Sequence, residues 1–491
     1  MKTTAWRSIL QRAAAVLLLS LPGTRAAASP DGAPRAPTRT NVLFCIADDA
    51  SHFGASGCSW VKTPNIDRLA QRGLVFERAY TPTAKCAPSR AAILTGRNPW
   101  QLEEAGNHQS YFPAKFKAFT EALAGAGVAV GAEGKFWGPG IATNAAGGPR
   151  TWGIQPAAGG KRRAGFEAFL QARDRSKPFF YWFGSHNPHR PYKKDSGLAA
   201  GRKVSEVDRV PGCWPDNGVV RADMLDYAAE VAAFDEEVGE HLRALEAAGE
   251  SDRTLVIVTS DNGMPFPRSK GHTYDIANHM PFVACWPLGI AHPGTRRAEF
   301  VSFIDLAPTF LELLGVAPGA AGMAPLTGRS FTDLLRGEPQ GERSFVILGR
   351  ERNDVDARPG TEAGLGYPSR ALREGDWFYI HNFAPERWPC GNPELGLKDT
   401  DNGPTKKLLE DAGEQDRFWQ LCFGKRPAEE FYDLSADPDC LKNLAADASC
   451  REKMAAQREK LLAELRRQAD PRVLGQGDVF DRYPSAKGKK P

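Results

Sequence analysis

Three short apolar runs in this chain each end in polar residues able to do chemistry. Residues 42–47 run into Asp48-Asp49, residues 178–184 into Ser185-His186, and residues 254–260 into Asp261-Asn262-Gly263. Carboxylate and amide oxygens are hard donors by residue type alone. Each pair also has a bland alternative: Asp-Asp can cap a helix, and Asp-Asn-Gly is a common turn. A fourth segment is sharper. In Cys86-Ala87-Pro88-Ser89-Arg90, Pro88 fits the first turn of a helix and Gly96 its stop. That predicts Cys86 at a helix N-terminus, where free amides and the dipole favour an anion. Arg90 follows at the helical spacing that brings it near. Composition gives about 0.003 chance copies of Cys-x-Pro-Ser-Arg. The competing reading of Cys86 alone is a free or disulfide-bonded cysteine beside a helix start.

Bringing these residues together requires a sheet. From Asn41, short apolar strands alternate with helix-like stretches, which indicates an α/β layer domain. Open α/β sheets place their ligand crevice outside the carboxyl ends of the strands, so three strands would deliver their polar residues to one rim. Residues 222–248 carry helical periodicity, and Asp305 to Thr309 opens another helix with Pro308 in its first turn. Near residue 340 the texture changes. Residues 344–348 and 376–381 read as strands of a smaller antiparallel sheet, and a Gly- and Pro-bearing insertion covers 384–402. A charged helix over 451–467 has Met454, Leu461 and Leu465 as its packing stripe. The tail from Tyr483, with Lys487, Lys489 and Lys490, is expected to fray. The expected division is a leader at 1–28, a linker at 29–39, a catalytic domain at 40–340, a C-terminal subdomain at 341–482 and a basic tail at 483–491.

The composition, 42% hydrophobic and 25% charged over 491 residues, excludes a disordered tail protein, a coiled coil and a collagen-like fibre. Lys2, Arg7 and Arg12, an apolar run at 13–21 and Ala26-Ala27-Ala28 before Ser29 read as a secretory signal, which implies a periplasmic or secreted protein. The run is too short for a membrane span, and no later segment is long enough. Lys2, Arg7, Arg12 and Arg25 account for the whole net charge of +4, so bulk charge gives no argument for nucleic acid or a membrane surface. Nine cysteines leave at least one unpaired. Cys45 reads as a buried thiol, while Cys440 with Cys450 and Cys390 with Cys422 are possible pairs between which the sequence does not choose.

Cys86 to Arg90 with Leu94-Thr95-Gly96-Arg97 resembles the signature of the type I sulfatase family. The resemblance implies that a formylglycine-generating maturase oxidises Cys86 to formylglycine. One oxygen of its hydrated aldehyde would attack sulfur, and the other would expel sulfate. It also implies Ca2+, or Mg2+, held by Asp48, Asp49, Cys86, Asp261 and Asn262. Gly134-Lys135-Phe136-Trp137-Gly138 is similar to the family's Gly-Lys-x-His element, so Lys135 would contact formylglycine and sulfate. Trp137 stands where the family carries the histidine associated with deprotonating the diol. In Ser185-His186-Asn187-Pro188-His189-Arg190, similar to the family's His-x-Pro-His, His186 would contact sulfate and protonate the leaving group. His189 is either structural or near the substrate. Lys270 lies close to where the family carries a cation over the sulfate, and Arg90 would offset the same charge. His108, in Asn107-His108-Gln109, is either a surface residue or a substrate contact.

The implied fold is alkaline-phosphatase-like α/β: a large mixed sheet flanked by helices, with a smaller C-terminal antiparallel α+β subdomain. Ser260 to Pro267 and the His-x-Pro-His-Arg segment lean toward the heparan N-sulfatase (sulfamidase) branch. N-sulfoglucosamine of heparan-type fragments is then the first expected substrate, and 6-O- or other O-sulfated glycans the second. Two rivals stand beside this: a phosphodiesterase or phosphonate hydrolase on the same fold, and a catalytically silent exported glycan-binding relative, suggested by Trp137.

Overall fold

The computed structural model describes residues 39–155 and 165–489; the expected leader, and all of the expected linker except Arg39, lie outside them. The main sheet uses β1 (Asn41–Ala47), β2 (Leu74–Tyr80), β4 (Ala129–Gly134), β6 (Phe179–Gly184), β7 (Thr254–Ser260), β8 (Val283–Cys285) and β9 (Thr295–Ser302). A two-stranded pair, β3 (Ser110–Phe112) with β5 (Gly140–Ala142), lies apart from it. The order in the main sheet is β4-β6-β1-β7-β8-β2-β9. β4, β6, β1 and β7 are mutually parallel, and β8 runs antiparallel to both of its neighbours. The sheet is therefore mixed.

Period-two alternation sends side chains to two separate cores. From β1, Val42, Phe44 and Ile46 join one cluster while Leu43, Cys45 and Ala47 join the other. β6 does the same, with Phe180 and Trp182 on one face and Phe179, Tyr181 and Phe183 on the other. Strands apolar on both faces must be covered by helices on both faces. The helix Gly218–Ala247 supplies much of one cover through Val220, Met224, Val231, Phe234 and Val238. It starts where the Asn217 side chain accepts from the Val219 and Val220 amides.

The second sheet is antiparallel, in the order β10 (Phe345–Arg350), β11 (Ser369–Glu374), β12 (Trp377–Asn382), β13 (Glu429–Asp433). The expected charged helix spans Arg451–Arg467 and lays Met454, Leu461 and Leu465 against Leu372, Tyr379 and Phe431 of this sheet. The expected α/β architecture with a smaller C-terminal antiparallel sheet is thus observed.

The tail departs from expectation. Instead of fraying, its backbone is bound: Arg352 Nη1 donates to Tyr483 O at 2.7 Å, Ser110 Oγ to Pro484 O at 3.0 Å, and the Ala486 amide to Gln109 O at 2.8 Å. A lysine-rich composition predicts solvation, but these bonds use the main chain, which composition does not report. Among the described residues, no helix is long and apolar enough to cross a membrane. All nine cysteines are free, so neither possible pair is formed. Cys390 Sγ instead lies 3.1 Å from His272 Nε2 and donates to Cys422 O at 3.3 Å.

Candidate active site

Four adjacent parallel strands, rather than three, end at the site. β1 delivers Asp48 and Asp49, β7 delivers Asp261 and Asn262, β6 leads to Ser185 and His186, and β4 leads to Lys135. The strand ends are level because Ile46 pairs with Gly184, Gly134 with Gly184 and Ala47 with Ser260. Glycine is required at 134: φ is +66°, and a Cβ there would sit 1.9 Å from Gly184 O. Asp49, at φ +79°, holds a backbone conformation that side-chain-bearing residues rarely adopt, a form of strain that collects at functional sites.

Donor oxygens of Asp48, Asp49 and Asp261 all lie within 4.8 Å of one another, and the three residues are buried. Asn262 Nδ2 donates to Asp49 Oδ1 at 2.8 Å, which leaves Asn262 Oδ1 on the other side of the amide. Asn262 Oδ1 and Asp48 Oδ1 are buried without a hydrogen-bond partner. Orphaned buried acceptors carry a real penalty and call for a donor or a cation. Burial, together with the neighbouring Asp48 charge, pushes the Asp261 carboxyl above the usual range despite Arg90 beside it. A cluster that resists full ionisation alone, and that offers only hard oxygen donors, fits Ca2+ or Mg2+.

Three cations surround the carboxylates. Arg90 Nε meets Asp261 Oδ2 at 2.8 Å, Lys135 Nζ meets Asp48 Oδ2 at 2.5 Å, and Lys270 Nζ meets Asp49 Oδ2 at 2.6 Å. Burial opposes the charge on Asp48, but Lys135 and Arg90 outweigh it and hold the carboxyl low. Arg90 Nη1 and the Trp182 indole both donate to Lys135 O, at 2.5 and 3.2 Å, which fixes the loop after β4. Lys270 is buried rather than solvated and also reaches Asp401 Oδ2 at 3.1 Å.

Cys86 opens the helix Cys86–Thr95 as expected, with Gly96 ending it at φ +64°. Burial raises its thiol, yet Lys135 and His108 dominate and bring it down to about 6. His108 Nε2 lies 3.4 Å from Cys86 Sγ, so this residue belongs to the site and not to the surface. His186 stands exposed at the end of β6, its pKa lowered by partial burial and by Lys135 and Arg90 against the pull of Asp48. His189 Nε2 is 3.8 Å from Asp49 Oδ2, and its Nδ1 is bonded to Arg190 O. Trp137 is packed, its indole N–H donating to Ala87 O at 3.0 Å and its ring edge-on to Phe112.

Sequence reasoning missed three residues here. Lys85 is buried and pairs with Asp354 at 2.7 Å; its place immediately before Cys86 was the available signal. Asp354 and Asp401 come from loops of the C-terminal half, where no local pattern marks them.

A family model described as Sulfatase matches residues 40–316. The chain belongs to the sulfatase family. This sulfatase is 28% identical to the N-sulphoglucosamine sulphohydrolase of Homo sapiens, over 90% of this chain and 93% of that protein. An ulvan-active sulfatase of Formosa agariphila is 25% identical, over 90% of this chain and 76% of that protein. Among solved structures, a protein in complex with its substrate D-glucosamine-2-N,6-O-disulfate superposes with a TM-score of 0.61 at 19% identity, over 90% of this chain and all of that one. The phosphonate monoester hydrolase of Agrobacterium radiobacter gives 0.60 at 19%, over 89% and 97% of the two chains. At these identities the structural likenesses establish the fold, and the family model establishes a sulfuric ester hydrolase.

Proposed function

We propose that this sulfatase releases sulfate from sulfated carbohydrates, with N-sulfoglucosamine of heparan-type fragments as its substrate, in the periplasm or outside the cell. The observation that carries the reading is the placement of residue 86 at a helix N-terminus beside the buried carboxylate cluster and its cations. Similarity to N-sulphoglucosamine sulphohydrolase over 90% of the chain supports the substrate, and the basic, apolar, small-residue leader supports export.

Charge explains why the site needs a metal. Lys85, Arg90, Lys135 and Lys270 face Asp48, Asp49, Asp261, Asp354 and Asp401, so with neutral histidines and all five carboxylates ionised, the state a bound cation would enforce, these side chains carry one negative charge in excess. Ca2+ held by Asp48, Asp49, Asp261, Asn262 and the side chain at 86 would turn that excess into one net positive charge, matching one sulfate monoester or sulfamate. Formylglycine at position 86, made by a maturase, supplies the oxygen nucleophile for sulfur. Arg90 and Lys135 fix the floor of the site, and Lys270 sits where it can offset charge on sulfate. His186, exposed at the end of β6, would protonate the departing nitrogen or oxygen. His189, with Nε2 at 3.8 Å from Asp49 Oδ2, would lie near the substrate.

The test is sulfate release, read by ion chromatography, from N-sulfoglucosamine and from N-acetylglucosamine 6-sulfate, with Cys86→Ala as blank and a phosphate ester as control. Release from the first probe is expected. Release from the second alone overturns the sulfamidase assignment, and phosphate release without sulfate release overturns the sulfatase reaction.

A further inference from the structure

The side chain of residue 86 has a neighbour that the proposed function leaves unused. His108 is 5% exposed, with Nε2 at 3.4 Å from Cys86 Sγ. Its other nitrogen, Nδ1, is 3.1 Å from Asp354 Oδ1, and the second oxygen of Asp354 takes Lys85 Nζ at 2.7 Å. Nucleophile position, imidazole and carboxylate thus stand in series, the arrangement by which proteins move a proton at a reacting side chain.

The ring is held from behind by distant parts of the chain. The His108 amide donates to Arg352 O at 3.0 Å. Next to it, Asn107 Nδ2 donates to Phe480 O at 2.9 Å, and Asn107 Oδ1 accepts from the Arg352 amide at 3.1 Å. Position 137 cannot do the same work. An indole nitrogen is a donor only, and that of Trp137 is committed to Ala87 O.

We propose that His108, oriented by Asp354, is the catalytic proton acceptor at residue 86 of this sulfatase. The inference rests on the sulfatase reading of that residue. As sulfate leaves, His108 Nε2 takes the proton of the hydroxyl on the residue 86 side chain. The O–H electron pair becomes the second carbon–oxygen bond of the aldehyde, and the carbon–oxygen bond to sulfate breaks with its pair leaving on sulfate. Asp354 stays ionised and keeps the ring proton on Nδ1, so that Nε2 is free to accept. Asp354 is a positioning residue.

The experiment uses matured wild type, His108→Asn, His108→Gln and Asp354→Asn, with formylglycine content confirmed by peptide mass. The probe is whichever of N-sulfoglucosamine, N-acetylglucosamine 6-sulfate and 4-nitrocatechol sulfate the wild type turns over. Desulfated product, free sulfate and protein mass are followed from the first turnover. His108→Asn is expected to give a burst of about one equivalent of product and then slow by roughly 100- to 10,000-fold. Its peptide carrying residue 86 should retain one SO3 unit. Asp354→Asn should show the same retention with a smaller slowing. Two results overturn the proposal while sparing the sulfatase reading: wild-type turnover in a His108 variant, or loss of burst and steady state together with no SO3 retained. If His108→Asn does not fold, His108→Gln and Asp354→Asn carry the same readout. A matured wild type that releases sulfate from none of the three probes fails the sulfatase reading, and the proposal with it.

Discussion

Deleting the chain from Tyr483 onward tests whether the C-terminal segment holds the His108 loop in place. Its main chain makes four bonds there: Arg352 Nη1 and Nη2 donate to Tyr483 O and Pro484 O at 2.7 and 3.2 Å, Ser110 Oγ to Pro484 O at 3.0 Å, and the Ala486 amide to Gln109 O at 2.8 Å. A neutral hydrogen bond is worth about 0.5–1.5 kcal/mol net and one to a charged group about 1.5–3. Full credit would give about 4–9 kcal/mol. Deletion, however, lets water reach the freed groups, so about 2 kcal/mol is the expected fall in the local opening free energy of residues 107–110. That is a roughly 30-fold rise in amide exchange, at about 1.4 kcal/mol per tenfold. Hydrogen exchange read by mass spectrometry should find the increase in the peptide containing His108, whose amide donates to Arg352 O. Peptides from β1 and β7 should be unaffected, because these strands are central in the main sheet and none of the four bonds involves them. Unchanged exchange at 107–110 in the truncated chain would refute the reasoning, and it would restore the frayed tail that composition suggests.

Two further perturbations follow from the site. Chelation should lower the melting temperature of the wild type, since a cation at 100 times its dissociation constant contributes about 2.7 kcal/mol. Asp261→Ala should abolish that response by differential scanning fluorimetry with and without Ca2+, and an unaltered response would remove Asp261 from the ligand set. Trp137→His should cost about 0.5–3 kcal/mol in chemical denaturation, because the smaller imidazole gives up much of the contact that a half-buried indole makes with Phe112 and Trp152. It should not raise turnover; a faster enzyme would mean that position 137, and not His108, is the place for the proton acceptor.

The sequence alone determined the strand ends and the donor types. Apolar runs of six and seven residues followed by Asp48-Asp49 and Asp261-Asn262 are local patterns, and the rule that parallel strands present their carboxyl ends together does the rest. The helix start at Cys86 and its stop at Gly96 were equally local, set by Pro88 and glycine. The packing stripe of the helix Arg451–Arg467 was readable for the same reason.

Tertiary structure decided what those residues meet. His108 could be surface or site until the loop carrying it was pinned between Arg352, Phe480 and Ala486, all more than two hundred residues away in sequence. Asp354 and Asp401 carry no local signature, because what gives them meaning is the cation each one faces, Lys85 and Lys270. Lys270 reads as a solvated lysine by type and becomes a buried one because two carboxylates on different segments offset its desolvation. The tail composition predicted solvation while its backbone found partners. Side-chain type and spacing report local conformation and chemical capacity, whereas burial and pairing depend on contacts between residues far apart in the chain, which no local pattern encodes.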